Sequence, residues 1–205
     1  MQQYAGTILA GRSFEPVRGR VVVDDGRIDA VEEAPTESTD IVLPAFVNAH
    51  THIGDSVAKE AGVGLSLDAA VAPPDSEKHR RLAAASRKEL ITAMRRTLQL
   101  MEETGTVAHL DFRESGEPGT EALRTAASET ATDAVIFGSG PASVLDLADG
   151  YGASGANDDE FTDERAAARK ANKPFAIHAG EPDATDIHPA LAYEPELLVH
   201  MVHAE

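Results

Sequence analysis

The chain has no cysteine. That excludes a disulfide framework and any thiolate metal site. It also lacks a hydrophobic run of transmembrane length, and Met1-Gln2-Gln3-Tyr4 has no signal-peptide pattern. A cytoplasmic protein is the expectation. Lysine is scarce, occurring only at Lys59, Lys78, Lys88, Lys170 and Lys173, and aromatic residues make up 4%. Acidic residues number 35 against 18 Lys plus Arg, a formal net charge of −17. Phosphate binding needs clustered cations, so nucleic acid and anionic membrane surfaces are not expected partners. A small-molecule substrate is. An acidic, Lys-poor, Ala-rich surface suits a protein kept soluble in concentrated salt, where screening relieves self-repulsion. The alternative is an ordinary acidic mesophilic protein. What is present is enough for a core: 205 residues, 42% of them hydrophobic.

The informative stretch is Val47-Asn48-Ala49-His50-Thr51-His52. The apolar run Val42-Leu43 and Ala45-Phe46-Val47, interrupted by Pro44, predicts a short buried strand ending in two histidines. Strand side chains alternate, so His50 and His52 share a face and could share a divalent metal. A bare His-x-His also fits a surface or hydrogen-bonded pair.

Residues 1–44 read as a small β layer, with strands at Thr7–Ala10, Arg20–Val23 and Arg27–Val31 and a hairpin turn at Asp25-Gly26. Residues 45–205 alternate strands with helices. Ile53–Pro74 reads as a long loop with breakers at Gly62, Gly64 and Pro73-Pro74. Ser86-Arg87-Lys88-Glu89 has the form of a capping box. Leu90, Met94, Leu98 and Met101 continue a helix that Gly105 stops. Strands are expected over 106–112, 134–137, 174–178 and 197–203, helices over 119–130 and 158–171, and a weak element at Val144–Ala148 before a glycine-rich stretch. Such βα units build a parallel sheet or barrel, and in a barrel the site lies at the C-terminal strand ends. His50, His52, His178 and either His200 or His203 lie near such ends. Glu181, three residues beyond His178, could swing over the pocket and carry protons, or be a solvated loop acid.

Leu43-Pro44-Ala45-Phe46-Val47-Asn48-Ala49-His50-Thr51-His52 resembles the opening signature of the amidohydrolase superfamily, with Ala45 in place of the usual glycine. His178-x-x-Glu181 is similar to strand five of its cytosine deaminase and chlorohydrolase branch, and His200 to strand six. The resemblance implies an α/β fold: a (β/α)8 TIM-barrel type with about six of eight strands present, beside a small N-terminal β-sandwich layer. It implies one divalent ion, Zn²⁺ or Fe²⁺, held by His50, His52 and His178. Catalytic roles fall to Glu181, as proton shuttle, and His200. A further Asp ligand belongs to an eighth strand, which leads to the expectation of a C-terminally incomplete chain needing a complementing segment or self-association. Arg113 and Glu114 are candidates for substrate contact or a simple ion pair.

Residues 73–79 and Asp111-Phe112-Arg113-Glu114 resemble an archaeal subgroup whose substrate the motifs do not name. The implied reaction is hydrolysis of a non-peptide carbon–nitrogen bond in a heterocycle or amide. Two rivals remain: a non-catalytic metal-binding relative, and a two-metal cyclic amidase of the dihydroorotase or hydantoinase kind. Against the latter, no lysine lies between Arg124 and Arg169 to bridge two ions. Of the other histidines, His79 is expected to be solvated, His109 to be core and His188 to lie in a loop.

Overall fold

The structure is a computed structural model that describes residues 1–72 and 75–205. The expected breakers Pro73 and Pro74 lie outside the described residues. The chain forms two compact units, Met1–Ala45 and Phe46–Glu205.

The first unit is one four-stranded sheet. Its strands are β1 (Gln2–Ala10), β2 (Glu15–Asp24), β3 (Arg27–Glu33) and β4 (Ile41–Val42), in the order β3-β2-β1-β4. The strands are longer than the apolar runs alone suggest, because backbone pairing continues past them: β1 and β2 stay in register from Gln2–Val23 to Ala10–Glu15. Asp25 and Gly26 both take positive φ, 47° and 72°. That is the mirror-image turn whose twist suits a tight hairpin, as Asp-Gly predicts. Ile8, Val21 and Val22 are its buried hydrophobic residues.

The second unit carries six strands: β5 (Phe46–Thr51), β6 (Thr106–Arg113), β7 (Asp133–Gly138), β8 (Gly150–Gly155), β9 (Phe175–Ala179) and β10 (Leu197–His200). They lie side by side in chain order and all pair in parallel. Helices α1 (Leu67–Val71), α2 (Glu77–Ala84), α3 (Arg87–Glu103), α4 (Gly116–Ala127), α5 (Thr162–Ala171) and α6 (Ile187–Ala192) occupy the connections. This is the sequential βα order of a (β/α)8 barrel, here with six of its strands.

Alternation along the strands sorts the core into two layers. Phe112, Phe137, Ala176 and Val199 pack together on one face of the sheet. Ile136 turns the other way and packs with Met94, Leu98, Leu123 and Ala126 of α3 and α4. Helix α3 begins as the capping box predicts: Ser86 Oγ accepts from the Glu89 amide, and Glu89 Oε2 accepts from the Ser86 amide at 2.8 Å.

Three expectations need correction. The apolar run around Pro44 is two strands in two sheets, and Phe46 and Val47 are exposed. The reason is that β5 pairs only with β6 among the described residues, so its start lies on an open edge. The fourth barrel strand is the glycine-rich stretch itself, and Ala142–Asp146 before it is a 3₁₀ turn. Space dictates this. A Cβ on Gly150 would stand 2.6 Å from the Phe137 ring, and one on Gly152 would stand 2.9 Å from Phe112. Lastly, the expected loop after His52 contains a 3₁₀ turn at Ile53–Ala58 and helix α1.

Candidate metal centre and active site

His50 and His52 sit on one face near the end of β5, as the alternation requires. His178 of β9 and His200 of β10 reach the same place. His50 Nε2 lies 3.2 Å from His52 Nε2 and 3.3 Å from His178 Nε2. Ligands 2.0–2.1 Å from a tetrahedral zinc are separated by about 3.3 Å, so the spacing is that of nitrogens around one ion. His50, His178 and His200 also present ligand atoms within 4.8 Å of one another.

The outward-facing ring nitrogens fix the tautomers. His178 Nδ1 donates to the Ala153 carbonyl at 2.8 Å. His52 Nδ1 lies 3.1 Å from Glu114 Oε1, so it donates to that carboxylate. Both rings therefore turn a bare Nε2 inward, the orientation that outer partners impose on metal-binding histidines. Burial, reinforced by the neighbouring imidazoles, lowers His50 to about 4 and His178 to about 3. Each is neutral at physiological pH, the form that ligates. Imidazole nitrogens clustered in this way fit a divalent cation.

Beyond β9 the chain turns at Gly180, whose φ is +68°. Glu181 comes back toward β10, and its Oε2 lies 3.4 Å from His200 Nε2. His200 and Met201 themselves have φ of 70° and 54°. Consecutive left-handed residues other than glycine are costly and persist only where the surroundings hold them. Here the Met201 amide donates to Ala179 O and the His203 amide to Gly180 O. The local strain thus aims His200 at the cluster while tying the end of β10 to the turn that carries Glu181.

Arg113 and Glu114 lie at the end of β6. Arg113 is 3% exposed and packs against Gly54, pairing with Glu114 and lying 3.7 Å from Asp111. Arg113 is thus held in an ion pair with Glu114. Glu114 faces His52 and Lys78. Burial opposes the charge on Glu114, but His52, Arg113 and Lys78 together hold it well below the usual carboxylate range. Asp111 is fully buried and accepts from the Ile53 amide and the Thr51 hydroxyl, which anchors the chain on both sides of His52.

A model of the amidohydrolase family matches residues 41–202. The chain belongs to the amidohydrolase family. It is 36% identical over 204 residues to a "Putative aminohydrolase" of Methanothermobacter thermautotrophicus, covering 86% of this chain and 53% of that one. A protein of the same description from Archaeoglobus fulgidus is 34% identical, with 98% and 59% covered. The amidohydrolase chain thus spans a little over half the length of these relatives. Among solved structures, 5-methylcytosine deaminase from Klebsiella pneumoniae matches with a TM-score of 0.64 at 14% identity, covering 92% of this chain and 54% of its own. Atrazine chlorohydrolase from Arthrobacter aurescens, complexed with zinc, matches at 0.60 and 12%, with 87% and 52% covered. At such identities the likeness concerns the fold.

Several residues around this amidohydrolase's histidine cluster have no role that the sequence assigns. Asp55 lies in a stretch without periodicity, Lys78 in the stretch 73–79 whose resemblance names no role for it, and the Ala153 carbonyl is a backbone group. Asp111 could have been suspected, since a carboxylate inside a strand must find partners. His79 is only partly solvated: it sits on α2, half-buried, with Nδ1 2.8 Å from Ser76 Oγ. His109 is fully buried, and both its ring nitrogens lack a partner among the described residues. His188 is on α6 rather than in a loop, and His203 is exposed beyond β10. No helix among the described residues is long and apolar enough to cross a membrane.

Proposed function

We propose that this amidohydrolase hydrolyses a non-peptide carbon–nitrogen bond, or the equivalent carbon–halogen bond, at an sp² carbon of a heterocycle or amide, using one divalent ion. The observation that carries this is the meeting of three imidazole Nε2 atoms at 3.2 and 3.3 Å beside the Glu181–His200 pair. His50, His52 and His178 would hold Zn²⁺ or Fe²⁺, with His200 near enough to contact the attacking water or the substrate. When bound, such an ion supplies Lewis acidity that makes water nucleophilic near neutral pH. Glu181 takes the proton from the attacking water and returns it to the departing nitrogen, a transfer its place on the turn beside the cluster allows. His200 orients the Glu181 carboxylate from the other side.

A single ion is supported by β8. Strand four is Gly-Tyr-Gly-Ala-Ser-Gly and offers neither lysine nor carboxylate to bridge a pair. The test is ammonia release from a panel of aminated heterocycles. Glu181→Gln should keep metal and lose about 10²–10⁴-fold in turnover. Full turnover in that variant would return Glu181 to a loop acid.

A further inference from the structure

The two stretches without an assigned role meet around His52. Lys78, from α2, places Nζ 2.5 Å from Glu114 Oε1 and 3.1 Å from Asp55 Oδ2. Glu114 Oε1 is also the atom facing His52 Nδ1, at 3.1 Å, while Glu114 Oε2 pairs with Arg113. Lys78 is only 10% exposed, so its ammonium is fixed among carboxylates rather than solvated. His52, Asp55 and Glu114 would by spacing alone suit a cation, but the lysine already stands among them.

We propose that Glu114 is the positioning residue for His52, and that Lys78 acts through Glu114. The inference rests on the metal-centre reading above but adds residues to it. A histidine can offer Nε2 to an ion only if its proton stays on Nδ1. Among the described residues, Glu114 is the acceptor that keeps it there. A lone carboxylate on one turn could swing away. Lys78 and Arg113 grip both of its oxygens, from α2 and from β6, and the charge-assisted contacts hold it beside the imidazole. Asp55 completes the grip by holding Lys78 from the turn that follows His52. The loop after the ligand strand, the helix beyond it and the next strand are thereby tied at one carboxylate.

The first test uses metal-free chain and ¹⁵N-resolved imidazole spectra at pH about 8, above the ordinary imidazole range. His52 should carry its proton on Nδ1. A proton on Nε2 in the unmodified chain overturns the proposal without any variant having to fold. The second test is zinc affinity by chelator competition. Glu114→Ala should bind zinc about 10–100-fold more weakly. Glu114→Gln, whose amide oxygen can still accept from Nδ1, should retain more affinity than the alanine variant. Lys78→Met should weaken zinc binding, yet add less than about twofold in the Glu114→Ala background, since a residue acting through another is not additive with it. Unchanged affinity in Glu114→Ala, or full additivity of the pair, contradicts the assignment. Should the unmodified chain bind no zinc, the metal-centre reading fails, whereas the His52 tautomer still decides the positioning.

Discussion

At the residue scale the histidines divide by what surrounds them. His50 and His178 are aimed by β-strand alternation at a common point, while His109 is fully buried with no partner for either nitrogen among the described residues. Burial lowers the His109 pKa below its ordinary value. The unfolded chain therefore binds a proton below about 6.5 that the folded chain resists, so stability is whole above that pH and falls as the solution is acidified. His109→Leu removes this contribution and an unpaired buried polar group together, and should be neutral or stabilising at neutral pH. Thermal melts at pH about 7 and about 5 should show a smaller drop for the variant than for the parent. Equal drops would mean that His109 protonates freely in the folded state.

The converging histidines were legible because period-two spacing and a strand end are sequence properties. Their outer partners were not, since Glu114, Lys78 and Asp55 reach His52 only through the fold.

At the element scale, α3 and β8 mark the two extremes of legibility. The Ser86–Glu89 capping box is a local device, written within four residues, and it appears as read. Strand β8 is the opposite case. Its sequence has the composition of a loop; it is a strand because it pairs with β7 and β9, and glycine stands there because Phe112 and Phe137 leave no room for a Cβ. That information lies in β6 and β7, and no reading of residues 150–155 alone could supply it. The edge position of β5 was hidden for the same reason, since pairing is a property of the sheet. Two substitutions contrast these determinants. Ser86→Ala should cost about 0.5–2 kcal/mol, the usual value of a lost cap. Gly152→Ala places a Cβ 2.9 Å from Phe112 and should cost about 1–3 kcal/mol by overpacking. Denaturant titration measures both. A Gly152→Ala chain as stable as the parent would show that the two phenylalanines can yield.

At the scale of the whole molecule, composition and topology say different things. The order of strands and helices carries the barrel, and the six-stranded parallel sheet follows it in sequence. The net charge of −17 says nothing of fold, but it does bear on solvent. Self-repulsion of that size is screened within about 3 Å in molar salt, against about 10 Å in 0.1 M. The melting temperature should therefore rise as NaCl increases into the molar range. A flat or falling trend would remove the inference that the chain is adapted to salt.

The central claim is that His50, His52 and His178 form one metal site. Elemental analysis of the purified chain, taken beside His50→Ala prepared in the same way, tests it most directly. The account predicts close to one equivalent of zinc or iron in the parent and loss of it in His50→Ala. Two firmly held equivalents, or one that survives loss of the His50 imidazole, would contradict it.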